Sequence, residues 1–177
     1  MRFIVNYSTR SEGDALSQYK IEWVTDKLAA GYATLSYEDL AFVKENNISA
    51  IVNLCGEFCD LYEIQGKSGF DVFYLPLFDA CAPDMADLEK GLEWVEKKIK
   101  ADRNVLVHCR FGMGRTGMFV FAYLLRRGMN LKTIIRNLKR YRANPACYCQ
   151  WKLLRQYEKK IKQANTRNDN YKNMISE

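Results

Sequence analysis

Residues 105–117 read VLVHCRFGMGRTG, and this stretch decides the fold. Val105-Leu106-Val107 is a short apolar run of the kind buried in a sheet. It ends at His108-Cys109, gives way to a turn holding Gly112 and Gly114, and re-emerges at Thr116 as a run to about Arg127 with helical character. Strand, glycine turn and helix in that order form half of a βαβ unit, whose crossover is right-handed. Similar apolar runs occur at Ala50 to Leu54 and at Val72 to Leu75, bounded by Cys55-Gly56 and by Pro76. Weaker β-prone runs lie at Glu22 to Val24 and Lys27 to Ala30.

Helical segments separate these runs. Ser36, with Asp39 three residues on, caps a helix expected to reach about Asn46. Asp84 caps a longer one to about Lys100, with Met85, Leu88, Leu92, Val95 and Ile99 at spacings of three and four. Two more are expected after the glycine turn, at Leu131 to Tyr141 behind Asn130 and at about Cys147 to Gln163. Strands alternating with helices predict a single α/β domain, a central, mostly parallel sheet of about four to five strands flanked by helices. The domain is expected over residues 21–163, between an N-terminal extension, 1–20, whose role is unclear, and a polar, frayed tail, 164–177.

Of the 177 residues, 48% are hydrophobic and 27% charged, the balance of an ordinary globular domain. No apolar stretch approaches the roughly 20 residues of a membrane-spanning helix. The start, MRFIVNYSTR, is too short in its apolar part for an export signal. Six irregularly spaced cysteines without such a signal read as thiols of a reducing compartment, so a cytoplasmic location is expected. A single histidine excludes a His-rich metal site and any mechanism that needs two imidazoles. The net charge of +6 is unevenly distributed: residues 1–102 carry 10 Lys/Arg and 18 Asp/Glu, whereas residues 103–157 carry 12 Lys/Arg and no carboxylate. The second half is therefore expected to handle an anion, with nucleic acid, an anionic membrane surface and a phosphorylated substrate as candidates.

In a parallel α/β sheet, ligands bind outside the carboxyl ends of the strands, where the turn after Val107 must lie. Gly112 and Gly114 permit backbone geometry in which successive N–H groups point inward as an anion nest, and the helix starting at Thr116 adds its positive end. Both features favour a thiolate at Cys109 and bring it to the same point as the guanidinium of Arg115. A nucleophile, an anion cradle and a planar cation converging there suit a tetrahedral dianion. Gly112, Gly114 and Gly117 also fit a dinucleotide-binding pattern, but that site needs an acidic residue about 20 positions on, and the next carboxylate is Glu158. A papain-like pair of His108 and Cys109 is disfavoured, because adjacent side chains on a strand diverge. His108 is better read as steadying the turn by hydrogen bonding.

His-Cys-x5-Arg-Thr-Gly on a strand, turn and helix resembles the signature of the cysteine-dependent protein tyrosine phosphatases, and the small size is similar to their dual-specificity branch. The resemblance covers about residues 20–160. It implies that Cys109 attacks phosphorus to form a phosphocysteine and that the backbone from Arg110 through Phe111, Gly112 and Met113 to Gly114 binds the phosphoryl group. Arg115 would clamp its oxygens, and the Thr116 hydroxyl would ease departure of the cysteine when water hydrolyses the intermediate. No metal or other cofactor is implied.

The leaving group needs a proton donor, which the family carries on a mobile loop upstream of the cysteine. LPLFDACAPDMADLEKG offers Asp79 and Asp84 there. Asp79, directly after a strand, resembles the acid of the small phosphatases, whereas Asp84 is more simply a helix cap. The tryptophan of the large tyrosine phosphatases is missing from Leu77-Phe78-Asp79, which argues against that branch.

Cys55, ending a strand, resembles the thiol with which phosphatase-and-tensin-type enzymes form a reversible disulfide to the catalytic cysteine; otherwise it is a small residue packing the sheet. Gln150 resembles a glutamine that many small phosphatases carry near the site, or else is a surface polar residue of its helix. Cys147 and Cys149 are read as structural thiols. The resemblance implies hydrolysis of phosphotyrosine, and of phosphoserine or phosphothreonine, in a phosphorylated protein or peptide. Phosphoinositides, RNA 5′-phosphates and phosphate binding without turnover are the alternatives. Lipid-directed relatives tend to place lysines in the loop and this one has none, while Arg110, Phe111 and Met113 are unusual there. The aromatic and basic run RYRANPACYCQWK fits no nucleic-acid-binding motif and reads as a solvated helix face.

Overall fold

The computed structural model describes residues 7–8 and 19–175, with side chains over 19–166. Residues 1–6 and 9–18 of the expected N-terminal extension, and 176–177 of the tail, lie outside the described residues. In chain order the elements are β1 (Tyr7–Ser8), β2 (Ile21–Trp23), β3 (Leu28–Tyr32), α1 (Tyr37–Glu45), β4 (Ile48–Cys55), α2 (Leu61–Lys67), β5 (Asp71–Leu77), α3 (Met85–Lys100), β6 (Asn104–Cys109), α4 (Arg115–Arg126), α5 (Leu131–Asn137) and α6 (Tyr148–Ile175). The strands form one sheet in the order β1-β2-β3-β6-β4-β5. Strands β3, β6, β4 and β5 are mutually parallel, and the short β2 and β1 complete one edge antiparallel. This is the expected α/β domain with a mostly parallel sheet.

Alternation along the strands sorts side chains to two faces. Leu28, Ala30, Ala50, Val52, Leu54, Val105, Val107 and Cys109 join the core built with α3, α4, α5 and α6. Ala29, Ile48, Ile51 and Leu106 join a smaller core with Tyr19 and with Leu40, Phe42 and Val43 of α1. The central helix α4 is buried from Arg115 to Leu125, which explains why its sequence is apolar on every side.

Ser36 and Asp39 form the capping box at α1, with Ser36 Oγ accepting from the Asp39 N–H and Asp39 from the Ser36 N–H. Three elements depart from expectation. Helix α2 was not legible, being seven residues with only Leu61 and Gln65 buried. Helix α5 stops at Asn137 rather than Tyr141, because the Asn144 side-chain amide takes the carbonyls of Leu138 and Tyr141. Helix α6 runs through the expected frayed tail to Ile175, since residues 164–175 contain no glycine or proline to end it.

Candidate active site

Strand β6 lies between β3 and β4, so the turn after Cys109 opens at the middle of the sheet's carboxyl edge. Gly112 has φ +70, and a Cβ there would stand 2.7 Å from the Gly31 carbonyl oxygen at the end of β3. The turn is therefore pressed against its neighbouring strand, which only glycine permits. Arg110 is tied to the same edge, its carbonyl accepting from the Ala33 N–H. Its guanidinium lies over the rings of Phe58 and Phe111. Phe111 and Met113 are exposed beside it, as is Phe78 from the loop after β5.

His108 and Cys109 diverge to opposite faces, as the strand geometry requires. His108 is fully buried, and its Nε2 lies 2.7 Å from Gln65 Nε2. The same Gln65 nitrogen donates to Thr34 Oγ1, and Gln65 Oε1 accepts from Asn53 Nδ2. Asn53 Oδ1 in turn accepts from the Cys55 N–H. This buried chain knits the carboxyl ends of β3, β4 and β6 together. Burial pushes the His108 pKa down to about 4, so the ring is neutral at physiological pH and structural in character.

Cys109 is buried, and its thiol donates to the Met113 carbonyl at 3.0 Å. The N–H of that same peptide unit, on Gly114, donates outward to the Asn144 carbonyl at 2.8 Å. The expected inward ring of donors is therefore broken at one peptide, where a carbonyl faces the sulfur. Gly114 has φ +56 and ψ −96, a backbone conformation open to glycine. Thr116 Oγ1 is buried without a hydrogen-bond partner among the described residues.

Arg115, at the start of α4, is 1% exposed and its guanidinium is fully engaged at its tip. Nη1 and Nη2 donate to the two carboxylate oxygens of Glu57, both at 2.7 Å, and Nη1 also donates to the Leu77 carbonyl. The Arg115 hydrogen bonds hold the Glu57 carboxyl down to a pKa of about 2 against the opposing effect of burial. Asp79 reaches the same guanidinium, with Oδ1 at 3.4 Å from Nη2, while its side chain is 73% exposed. Asp84 does not approach. It caps α3, accepting from the Asp87 N–H.

Cys55 ends β4, the strand beside β6, and is buried. Its thiol donates to Glu57 Oε2, and burial together with that carboxylate pushes its pKa up to about 11. Cys55 and Cys109 are both free thiols. Gln150 is fully buried rather than on a helix surface. Its Nε2 donates to the Cys81 carbonyl in the loop after β5, and its Oε1 accepts from the Ala146 N–H. Glu57 and Asn144 were missed in the sequence. Glu57 had one signal: it is the first carboxylate past the carboxyl end of a strand adjoining β6.

The strand-end thiol, the buried guanidinium and the exposed carboxylate form one constellation suited to a phosphoryl dianion. Among the described residues no cluster of side chains has the composition of a metal site, and no helix is long and apolar enough to cross a membrane. A family profile described as polymorphic toxin system, DSP-PTPase phosphatase, matches residues 29–129. The human dual specificity protein phosphatase CDC14C is 29% identical over 101 residues, 56% of this chain and 22% of that protein, so the chain spans under a quarter of that relative's length. The crystal structure of Tk-PTP in the active form superposes with a TM-score of 0.69 at 25% identity, covering 78% of this chain and 96% of that one. The crystal structure of PTPMT1 in complex with PI(5)P shares the fold, with a TM-score of 0.68 at 21% identity over 78% of this chain and 94% of that one.

Proposed function

From the premise that the chain belongs to the DSP-PTPase phosphatase family of polymorphic toxin systems, we propose that it hydrolyses phosphate monoesters on protein side chains. Phosphotyrosine is the preferred substrate and phosphoserine and phosphothreonine are secondary ones. The observation that carries this reading is the junction at Arg115, where the guanidinium that follows the Cys109 loop lies 3.4 Å from Asp79. In the first step the Cys109 sulfur attacks phosphorus in line, the ester P–O bond breaks, and Asp79 gives its proton to the departing oxygen. Arg115 and the loop N–H groups hold the three equatorial oxygens as charge spreads over them. Water then attacks the phosphocysteine, Asp79 takes its proton, and Thr116 donates to the leaving sulfur.

The arriving dianion is better matched by N–H groups than by the Met113 carbonyl. Its entry rotates the Met113–Gly114 peptide and turns the Gly114 N–H inward. Exposed Phe111, Met113 and Phe78 around the loop favour an aromatic phosphoester, which stacks on an apolar rim, over a polyol headgroup. The test is turnover of phosphotyrosyl, phosphoseryl and phosphothreonyl peptides and of phosphoinositides in EDTA. The reading expects phosphotyrosyl peptides to give the highest kcat/KM, and activity to vanish in Cys109→Ser. Preference for a phosphoinositide would move the substrate class, and turnover surviving in Cys109→Ser would overturn the mechanism.

A further inference from the structure

Three cysteines unused by that mechanism gather where the first turn of α6 meets the loop after β5. Cys147 Sγ and Cys149 Sγ lie 2.8 Å apart. Both donate to one acceptor, the carbonyl oxygen of Ala80, at 3.0 and 2.9 Å. The next carbonyl in the loop, that of Cys81, is taken by Gln150 Nε2 at 3.1 Å. Burial and the neighbouring Cys147 push the Cys149 pKa up, which keeps that thiol protonated as a donor. Ala80 itself has φ +55, a left-handed conformation that a non-glycine residue holds only when its surroundings impose it. Asp79 is the residue immediately before it.

We propose that Cys147 and Cys149 form a redox-responsive dithiol latch on the loop that carries Asp79. Reduced, the two S–H groups fix the Ala80 carbonyl and hold the loop beside Arg115. Oxidised to a Cys147–Cys149 disulfide, the pair has no S–H left to donate, and Ala80 relaxes out of its left-handed conformation. A disulfide needs about 2.05 Å between sulfurs, so the pair closes with a movement of under an ångström from 2.8 Å. Both thiols are partly exposed, so a small oxidant reaches them. The oxidant is a low-molecular-weight disulfide such as glutathione disulfide. One protein thiolate attacks a sulfur of that disulfide, its S–S bond breaks and the first small thiolate leaves. The second protein thiolate attacks the protein sulfur of the mixed disulfide and expels the second small thiolate. The two protons lost by the protein end on the two released thiols; the protein dithiol is oxidised and the small disulfide reduced. The latch stands on the loop geometry, and only its effect on turnover rests on the reading of Asp79 as general acid.

The test separates these two claims. The Cys109→Ser protein, which cannot oxidise at the catalytic position, is equilibrated with glutathione disulfide. It is then analysed by non-reducing peptide mapping and by amide hydrogen exchange of residues 78–82. The expected result is a Cys147–Cys149 link with loss of two hydrogens, faster exchange at Cys81, whose N–H donates to the Phe78 carbonyl, and reversal by dithiothreitol. The double variant Cys147→Ser/Cys149→Ser, whose hydroxyls still donate, should keep the slow exchange and ignore the oxidant. Cys147→Ala/Cys149→Ala should exchange fast from the outset. In protein with Cys109 intact, the alanine pair should lower kcat for phenyl phosphate about tenfold by displacing the acid. The effect should be smaller for para-nitrophenyl phosphate, whose leaving group needs less help. Absence of the Cys147–Cys149 link, or a link that leaves loop exchange unchanged, overturns the latch. Fast loop exchange with an unchanged kcat for phenyl phosphate leaves the latch standing and overturns the role of Asp79.

Discussion

His108 is the chain's one histidine, so its titration can be followed without assignment. Its pKa is lowered by burial from 6.5 to about 4. The unfolded chain therefore binds a proton that the folded one refuses between those values, and stability is lost as pH falls through that window. Two and a half units correspond to about 3 kcal/mol. The imidazole C2 proton should show its NMR titration near pH 4, and a midpoint near 6.5 would contradict the buried Gln65 contact. Glu57 carries a parallel expectation. Its folded pKa of about 2 lies below the ordinary 4.5, so the Arg115 pair is complete above pH 4.5 and is lost only on acidification toward 2. Replacing Glu57 by Gln leaves a buried guanidinium half paired and should cost about 3 kcal/mol in urea denaturation. Loss of under about 0.5 kcal/mol would show the pair to be a surface contact.

Two loop-borne acids at element ends have opposite expected effects. Asp84 caps α3, so Asp84→Ala should lower stability by about 1 kcal/mol with kcat unchanged. Asp79 sits exposed beside Arg115, so Asp79→Ala should leave stability nearly unchanged and lower kcat by about a hundredfold or more. It should also remove the fall of kcat on the basic side of the pH profile, because a general acid works only while protonated. A reversal of these two results would exchange the assignments. That Asp84 caps a helix and Asp79 lies in the loop after a strand was legible in the sequence, because Asp84 preceded a run with apolar spacing of three and four while Asp79 followed a strand directly. The helices α1 and α3 were legible from their own caps, and the strands β4, β5 and β6 and the helix α4 from their apolar runs beside turn residues. Helix α2 was not, because its task is to present Gln65 to Asn53, Thr34 and His108, a contact between residues distant in sequence. Nor could the outward Gly114 N–H be foreseen, as its acceptor, Asn144, is fixed only by the turn after α5.

Over the whole molecule the uneven charge has a structural consequence beside the one its sequence implies. The carboxylate-free segment from Arg103 to Tyr157 lends its cations to the acidic first half: Arg103 pairs with Asp71, Arg115 with Glu57, and Arg126 with Glu93 and Glu96. Three of the segment's twelve cations are thus engaged in joining the two halves across the sheet and α3, while the other nine are exposed. Long-range steering of phosphorylated substrates should therefore persist. Raising ionic strength from low to physiological salt should lower kcat/KM for a phosphotyrosyl peptide by about threefold or more. An unchanged kcat/KM would show that the exposed cations do not govern the approach. The central claim, however, concerns one sulfur. Rapid acid quenching of the protein during turnover of a phosphotyrosyl peptide, followed by peptide mapping, should find a phosphoryl group on the peptide that carries Cys109 and none in Cys109→Ser. Turnover with no phosphoryl group on Cys109, or with the group on another residue, would contradict the account.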